Sequence, residues 1–348
     1  MQSVTIGKNQ AGQRLDKFLH KYLPEAGSSF LYKMLRKKNI TLNGKKAEGK
    51  EILAEGDVVQ SFFSDETFAR FVGQEMQTVQ STPSGYHNAY QKLKDITVIY
   101  EDEDILILNK PAGLLTQKAK DEDLSLNEWL IGYLLAAGSI SKEELKTFRP
   151  SVCNRLDRNT SGLVLCGKSL KGSQYLGRII KRHSLRKFYY TICVGLIEKE
   201  SLLEGYLQKD SKANKVTVCK EMTDKENRTN ASHPDYIRTA LTPLAFGEGY
   251  TLLGVELFTG KTHQIRAHLQ SIGHPIIGDR KYGFPKENAF FEREFGLRHQ
   301  LLHAHHIILP EETDPDGTGA FLAARRITAP CPGQFIKIAK ALGFEELL

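Results

Sequence analysis

The sequence predicts an α+β protein: a mostly antiparallel mixed β-sheet domain, preceded by a small domain of two helices and a β-hairpin. Three observations carry this. From Ile96 onward, apolar and β-branched runs of strand length come in clusters, with few helical stretches between them. The first 64 residues instead hold two short helical patterns and a tight-turn signal. The length of 348 residues suits about two domains.

In the first segment, residues 1–64, Leu15, Phe18, Leu19, Tyr22 and Leu23 recur at helical spacing, and Pro24 closes the run. Ser28 or Ser29 is expected to cap a second helix with Leu31, Met34 and Leu35 on its apolar face. Its other face carries Lys33, Arg36, Lys37 and Lys38. Ile40 to Leu42 then leads into Asn43-Gly44, a hairpin turn signal, and Asp57 to Phe63 supplies another strand. Residues 65–95 read as a linker without clean periodicity, partly mobile or draped over the larger domain. In the third segment, residues 96–348, strands are expected at Thr97–Tyr100, Ile105–Leu108, Leu163–Cys166, Lys187–Val194, Thr251–Phe258 and Leu301–Leu309. Helices are expected at Leu126–Ala137, Ser169–Lys181 and Thr262–Ile272, the last stopped by Gly273.

Composition excludes several classes. With 40% hydrophobic and 26% charged residues, the chain is neither fibrous nor wholly disordered. No apolar run approaches the ~20 residues that cross a bilayer, so no membrane association is expected. The first fifteen residues lack the apolar core of a secretory signal, and a cytoplasmic location is the expectation. Five cysteines, with no C-x-x-C pair, make metal or disulfide readings weak, and several that sit in apolar stretches, such as Cys166 and Cys193, read as buried free thiols. The net charge is +7, and residues 1–64, with 11 Lys/Arg against 6 Asp/Glu, contribute most of it. That distribution suggests an electrostatic grip on a polyanion.

Three stretches invite chemistry: Asn154-Arg-Leu-Asp-Arg-Asn-Thr-Ser-Gly162, Lys187-Phe-Tyr189 and Thr259-Gly-Lys-Thr-His-Gln-Ile-Arg-Ala-His-Leu269. Asp157, flanked by two arginines, should be ionised and available as nucleophile or base, although a structural salt bridge is the commoner fate of such a triplet. Gly260-Lys261-Thr262 resembles the end of a P-loop, but that loop needs a glycine at position 255, where this chain has Val255. His263 and His268 are five apart, against the i, i+4 spacing of a helical zinc pair, and no Glu or Cys stands at ligand spacing beside them. His303, His305 and His306 complete that cluster, and structural or substrate-facing roles suit all five better than metal ligation.

Taken together, the stretches resemble the RluA family of RNA pseudouridine synthases. Arg155-Leu-Asp157 with Thr160-Ser-Gly162 matches the family's catalytic motif. Lys110-Pro-Ala-Gly113, Lys187-x-Tyr189, and Thr259 through Arg266 with Gly278-Asp279 and Tyr282-Gly283 match three others. The likeness runs from Ile96 to Leu309 in the family's order. The first 64 residues resemble the RNA-binding module named after ribosomal protein S-four, through Arg14-Leu-Asp-Lys-Phe-Leu19, Lys33-Met-Leu-Arg36 and Leu42-Asn-Gly-Lys45. Two positions depart from the pattern: Asn154 where the family often has His, and Gln117 where many members carry His.

The resemblance implies an isomerase with a pseudouridine synthase fold that converts uridine in RNA to pseudouridine after flipping the base, with no metal and no cofactor. It implies Asp157 as the catalytic carboxylate, Arg266 as its partner and Tyr189 as the aromatic beside the uracil. Arg155 would fill the space left in the base stack, and Lys110 and Lys261 would be phosphate or pocket contacts. Arg36, Lys37 and Lys45 would hold phosphates on the small module. The expected RNA is large-subunit (23S) ribosomal RNA, with tRNA as the alternative. A non-catalytic RNA-binding assembly factor is the competing reading. No obligate protein partner is evident, and a monomer is expected.

Overall fold

The computed structural model describes residues 1–72, 83–210, 215–219 and 235–344. The N-terminal part is a four-stranded antiparallel sheet in the order β1 (Gln2–Thr5), β4 (Val58–Ser61), β2 (Ile40–Leu42), β3 (Lys45–Lys46). Helices α1 (Leu15–Tyr22) and α2 (Ser28–Arg36) bury Leu15, Phe18, Leu19, Leu31 and Leu35 in a core shared with Ile6, Ile40 and Val59. The β2–β3 turn puts Asn43 (φ 52°) and Gly44 (φ 70°) in the left-handed region, which is why Asn-Gly stands there. The capping expectation is corrected. Gly27 occupies the N-cap with extended backbone and neither serine caps the helix; Ser28 Oγ lies instead beside His20 Nε2.

The segment 65–95 carries helices at both ends. Residues 65–72 form α3, whose Phe68 and Phe71 pack on Tyr22 and Phe30 (ring centroids 5.7 and 4.4 Å) and close the N-terminal core. Helix α4 (Pro83–Lys92) lies on α5 (Leu126–Ala136), with Tyr90 against Trp129. Their backbones approach so closely that a Cβ on Gly132 would stand 2.2 Å from the Tyr86 carbonyl oxygen. Residues 73–82 of this segment lie outside the described residues.

The large sheet runs in the order β11 (Lys215–Cys219), β10 (Ser201–Asp210), β12 (Asp235–Gly247), β13 (Tyr250–Leu257), β9 (Arg186–Val194), β14 (Leu302–Ile308), β8 (Ser161–Gly167), β6 (Ile105–Lys110), β5 (Thr97–Glu101). Two short strands, β7 (Ser151–Val152) and β15 (Arg326–Thr328), pair with β8 and β14. Among the described residues every pairing between these strands is antiparallel except β8 with β14, which run parallel through Ser161–His303 and Gly162–Ala304. This is the mostly antiparallel mixed sheet that the sequence predicts.

Both faces of the sheet's middle are covered, so its strands read as continuous apolar runs. On β6, Leu106 and Leu108 enter one core with Trp129, Leu130 and Ile265. Ile105 and Ile107 enter the opposite one with Tyr175, Leu176 and Ile179 of α6 (Leu170–Lys181). Each such fully buried side chain contributes about 1.5–3 kcal/mol of transfer free energy. Helices α8 (Pro285–Phe295) and α9 (Gly333–Ala341) cover Ile192 and Leu252, and α7 (Gln264–Ser271) lies on the face that carries Tyr189. The N-terminal part meets this body through Gln10 Nε2, which donates to Thr147 Oγ1 at 2.5 Å, and Asn9 Nδ2, which donates to Glu144 Oε1 at 3.2 Å. Lys8 Nζ also pairs with Glu103 at 2.7 Å.

Candidate active site

Asp157 sits in the turn that enters β8, closed by the Thr160 N–H donating to the Asp157 carbonyl at 3.0 Å. The turn is held from two sides. Asn154 accepts from the Leu165 N–H at 2.7 Å and donates to the Leu163 carbonyl at 3.3 Å, so the residue standing in place of the family's usual histidine fastens the loop to the strand. From the other side, Thr116 Oγ1 donates to the Leu156 carbonyl at 2.8 Å and accepts from its N–H at 3.2 Å. Gly113 and Arg158 also exchange hydrogen bonds. Behind the turn, Gly162 has φ 115°, and a Cβ there would stand 2.3 Å from the Ala304 carbonyl oxygen; only glycine allows β8 and β14 to meet.

Arg266, on α7, is 7% exposed and serves two carboxylates. Its Nη1 donates to Asp157 Oδ2 at 2.8 Å, while Nε and Nη2 form a fork with Asp279 at 2.7 and 3.0 Å. The Tyr282 ring lies 4.9 Å from the guanidinium carbon, a cation–π contact. Asp279 is fully buried and also accepts from the N–H groups of Lys281 and Tyr282. Burial alone would raise the Asp279 pKa; the Arg266 fork and these N–H groups hold it below the usual carboxylate range. Burial likewise opposes the Arg266 charge, and the two carboxylates more than offset it. The guanidinium is therefore a fixed cation that presents one edge to Asp157.

The α7 turn explains the Gly260-Lys261-Thr262 motif. The Lys261 N–H donates to Gln264 Oε1 at 3.1 Å, and Thr259 Oγ1 donates to the same oxygen at 2.9 Å. That N–H is turned inward and is not aimed at a phosphate. His263 follows in the left-handed conformation (φ 56°), with Nε2 3.9 Å from Asp157 Oδ2 and Nδ1 3.0 Å from the Tyr282 hydroxyl. Burial pushes its pKa down from the ordinary value, and Arg266 adds to this while Asp157 opposes it.

These groups line a cleft of about 680 Å³ that also includes Gln117, Arg155, Arg280 and Lys281, within the size range of small-molecule pockets. A narrower recess continues from it past Asp157 to Tyr189, Leu257, Lys261 and Leu302. Tyr189 is 8% exposed there, and burial, with the Asp157 charge, raises its phenol pKa well above the usual value. Arg155 is exposed and borders both spaces. Asp157, Tyr189, Arg266, Arg155 and Lys261 are thus brought together, whereas Arg36, Lys37 and Lys45 are exposed on the N-terminal part of the chain. Among the described residues, no three His, Cys, Asp or Glu side chains converge as a metal site requires.

Lys110 needs correction as an RNA contact. It is fully buried, and its Nζ donates to the carbonyls of Pro111, Leu114 and Arg158 at 3.0, 2.9 and 3.1 Å. Burial pulls its pKa down to about 7, with the Asp157 charge acting the other way. Its ammonium ties the 111–114 loop to the Asp157 turn and cannot reach a phosphate. Two residues of the site were given no role from sequence. Asp279 was visible only as part of the Gly278-Asp279 motif, and His263 only as a histidine unsuited to metal.

Residues 104–271 match a family model described as RNA pseudouridylate synthase. The "Ribosomal large subunit pseudouridine synthase C" of Vibrio vulnificus (strain CMCP6) is 29% identical over 98% of this chain and 96% of its own length. The "Uncharacterized RNA pseudouridine synthase MG370 homolog" of Mycoplasma pneumoniae (strain ATCC 29342 / M129 / Subtype 1) is 31% identical over 84% of this chain and 83% of its own. The solved structure "Human RNA Pseudouridylate Synthase Domain Containing 4" shares the fold, with a TM-score of 0.57 and 19% identity over 74% of this chain and 97% of its own. The chain belongs to the RluA-type RNA pseudouridine synthases, isomerases that convert uridine in RNA to pseudouridine.

Proposed function

We propose that Asp157 is the catalytic carboxylate and that the substrate is large-subunit ribosomal RNA. One observation carries the first part: Asp157 faces the cleft while Arg266, locked from behind by buried Asp279, holds its Oδ2 at 2.8 Å. A carboxylate so paired is oriented before substrate arrives. The ribosomal assignment is supported by the printed name of the Vibrio vulnificus relative, which aligns along almost the whole chain.

In the reaction the bond between uracil N1 and the sugar C1′ breaks, the base turns, and C5 bonds to C1′. The hydrogen leaves C5 and N1 gains one, so nothing is added or lost. Asp157 acts on the extruded nucleotide. Tyr189 stacks on the uracil at the end of the recess, and its phenol, held protonated by its burial, acts at C5 as a relay, passing its own proton on toward N1 as it takes the one that leaves C5. Extrusion costs a few kcal/mol, and Arg155, exposed at the mouth, takes the vacated place in the stack. Lys261, beside the recess, and Arg36, Lys37 and Lys45, on the small domain, contact backbone phosphates.

Asp157→Asn tests the assignment. Pseudouridine formation should fall by about 10³-fold or more, equivalent to at least ~4 kcal/mol of barrier, with RNA affinity kept. Full activity would remove Asp157 from the chemistry. Mapping pseudouridine in cells with and without the gene tests the substrate: a site lost from large-subunit RNA supports the proposal, and a site lost from tRNA alone overturns it.

A further inference from the structure

A cleft of about 470 Å³ runs along the junction of the two domains, on the side where β7 lies. It is lined by Lys21 of α1, by Leu145, Lys146, Phe148 and Arg149 from the segment before β7, and by Leu170 at the start of α6. Three cations from two domains face this space, and among the described residues no acid lines it. Two acids adjoin lining residues along the chain: Glu25, exposed, follows Pro24, and Glu144, before Leu145, is turned to Asn9 Nδ2 (3.2 Å) and the Ser141 N–H (2.9 Å). Lys21 Nζ donates to the neutral Gln13 Oε1 at 3.2 Å, and Lys17, one turn earlier, adds like charge. The two sides are held together at the same place, because Thr147, between Lys146 and Phe148, is the buried partner of Gln10.

We infer that this interdomain cleft grips the phosphate backbone of the substrate RNA at a second point, away from the target uridine. The inference rests on the RNA substrate proposed above and extends where that RNA runs. Position favours nucleic acid over an acidic peptide. β7 pairs with Cys166 and Gly167 at the far end of β8, so the seven residues of β8 set this cleft about 20 Å from the Asp157 turn. A folded RNA spans that distance while one of its uridines occupies the pocket. The cations from both domains then read the RNA's shape, with no need for base contacts.

The test uses the full chain carrying Lys21→Gln, Lys146→Gln and Arg149→Gln together. Two probes are used: an unmodified transcript of large-subunit ribosomal RNA, and a short stem-loop presenting a uridine. For the long transcript, affinity should weaken about ten-fold or more at 0.15 M salt. The slope of log K against log salt should become shallower by about two, at roughly 0.7–0.9 for each phosphate no longer neutralised. Affinity for the short stem-loop should change less than two-fold. A long-transcript affinity and salt slope equal to wild type would overturn the inference, and so would equal weakening on both RNAs. Because both readouts are binding, they stand even if Asp157 proves not to be the catalytic group. A thermal melt of the triple variant within about 2 °C of wild type confirms that the cleft, and not the fold, has been changed.

Discussion

Replacing Asp279 by asparagine perturbs a fully buried carboxylate that accepts four hydrogen bonds. Three of them reach Oδ1, from Arg266 Nη2 and the N–H groups of Lys281 and Tyr282; one reaches Oδ2, from Arg266 Nε. The amide oxygen will keep the Oδ1 place, which turns its NH₂ toward Arg266 Nε, donor against donor. One buried N–H then goes unpaired, at about 1–3 kcal/mol. The guanidinium also loses one of its two counter-charges. Removing a sole partner from a buried pair costs ~3–5 kcal/mol, and Asp157 here retains half of the pairing. The expected loss is about 3 kcal/mol, a drop of roughly 6–12 °C in Tm for a domain of this size. The Asp279 pKa is depressed in the folded state, so its contribution is fully present above the unfolded value near 4 and disappears as pH falls through the folded one. The variant should therefore lose part of the wild-type acid sensitivity. Urea unfolding at pH 7 and at pH 3.5, with a thermal melt, measures all three quantities. A urea midpoint equal to wild type at pH 7 would refute the claim that Arg266 is held from behind.

Tyr189→Phe should keep the shape of the recess and RNA affinity but lower kcat, read in single-turnover assays; an unchanged rate would make the hydroxyl a bystander. Arg155→Ala should slow the reaction on a base-paired target more than on an unpaired oligonucleotide, and equal slowing would mean that it only supports the loop. Lys110→Met keeps the volume but leaves three buried carbonyls without their donor, and should cost about 3 kcal/mol in urea unfolding together with activity. His268 and His303 are buried, and burial depresses both pKa values to about 4. Protons then bind the unfolded chain first, so stability should fall as pH drops from about 6.5 to 4, and His303→Asn should flatten part of that fall in a pH series of unfolding midpoints.

The strands that hold the site were legible because burial on both faces writes itself as unbroken apolar runs, as in Ile105–Leu108 and Leu163–Cys166. The β10 and β12 strands were not. Much of their surface meets solvent, and residues such as Glu204, Tyr236 and Arg238 leave no clean alternation. Helix α3 was missed because Phe68, Phe71 and Val72 are too few apolar positions to stand out from a polar linker. At the site, Asp157, Tyr189 and Arg266 were found through motifs, since each lies in a run with a recognisable spacing. The fork from Arg266 to Asp279 spans thirteen positions of chain, and no local periodicity announces it. Lys110 was misread for a related reason: a lysine beside a Pro-Ala-Gly loop looks exposed until the three carbonyls that turn inward around it are seen.

The parallel seam between β8 and β14 joins Ser161 to His303, 142 positions later in the chain. The pocket is therefore a product of late closure. While a ribosome is still translating the stretch before Leu302, the Asp157 turn lacks the neighbour against which Gly162 must nest, and a truncated nascent chain has no finished site to offer. Contacts of such long sequence separation form slowly, and this delays any chemistry on RNA until β14 has been made and has docked beside β8.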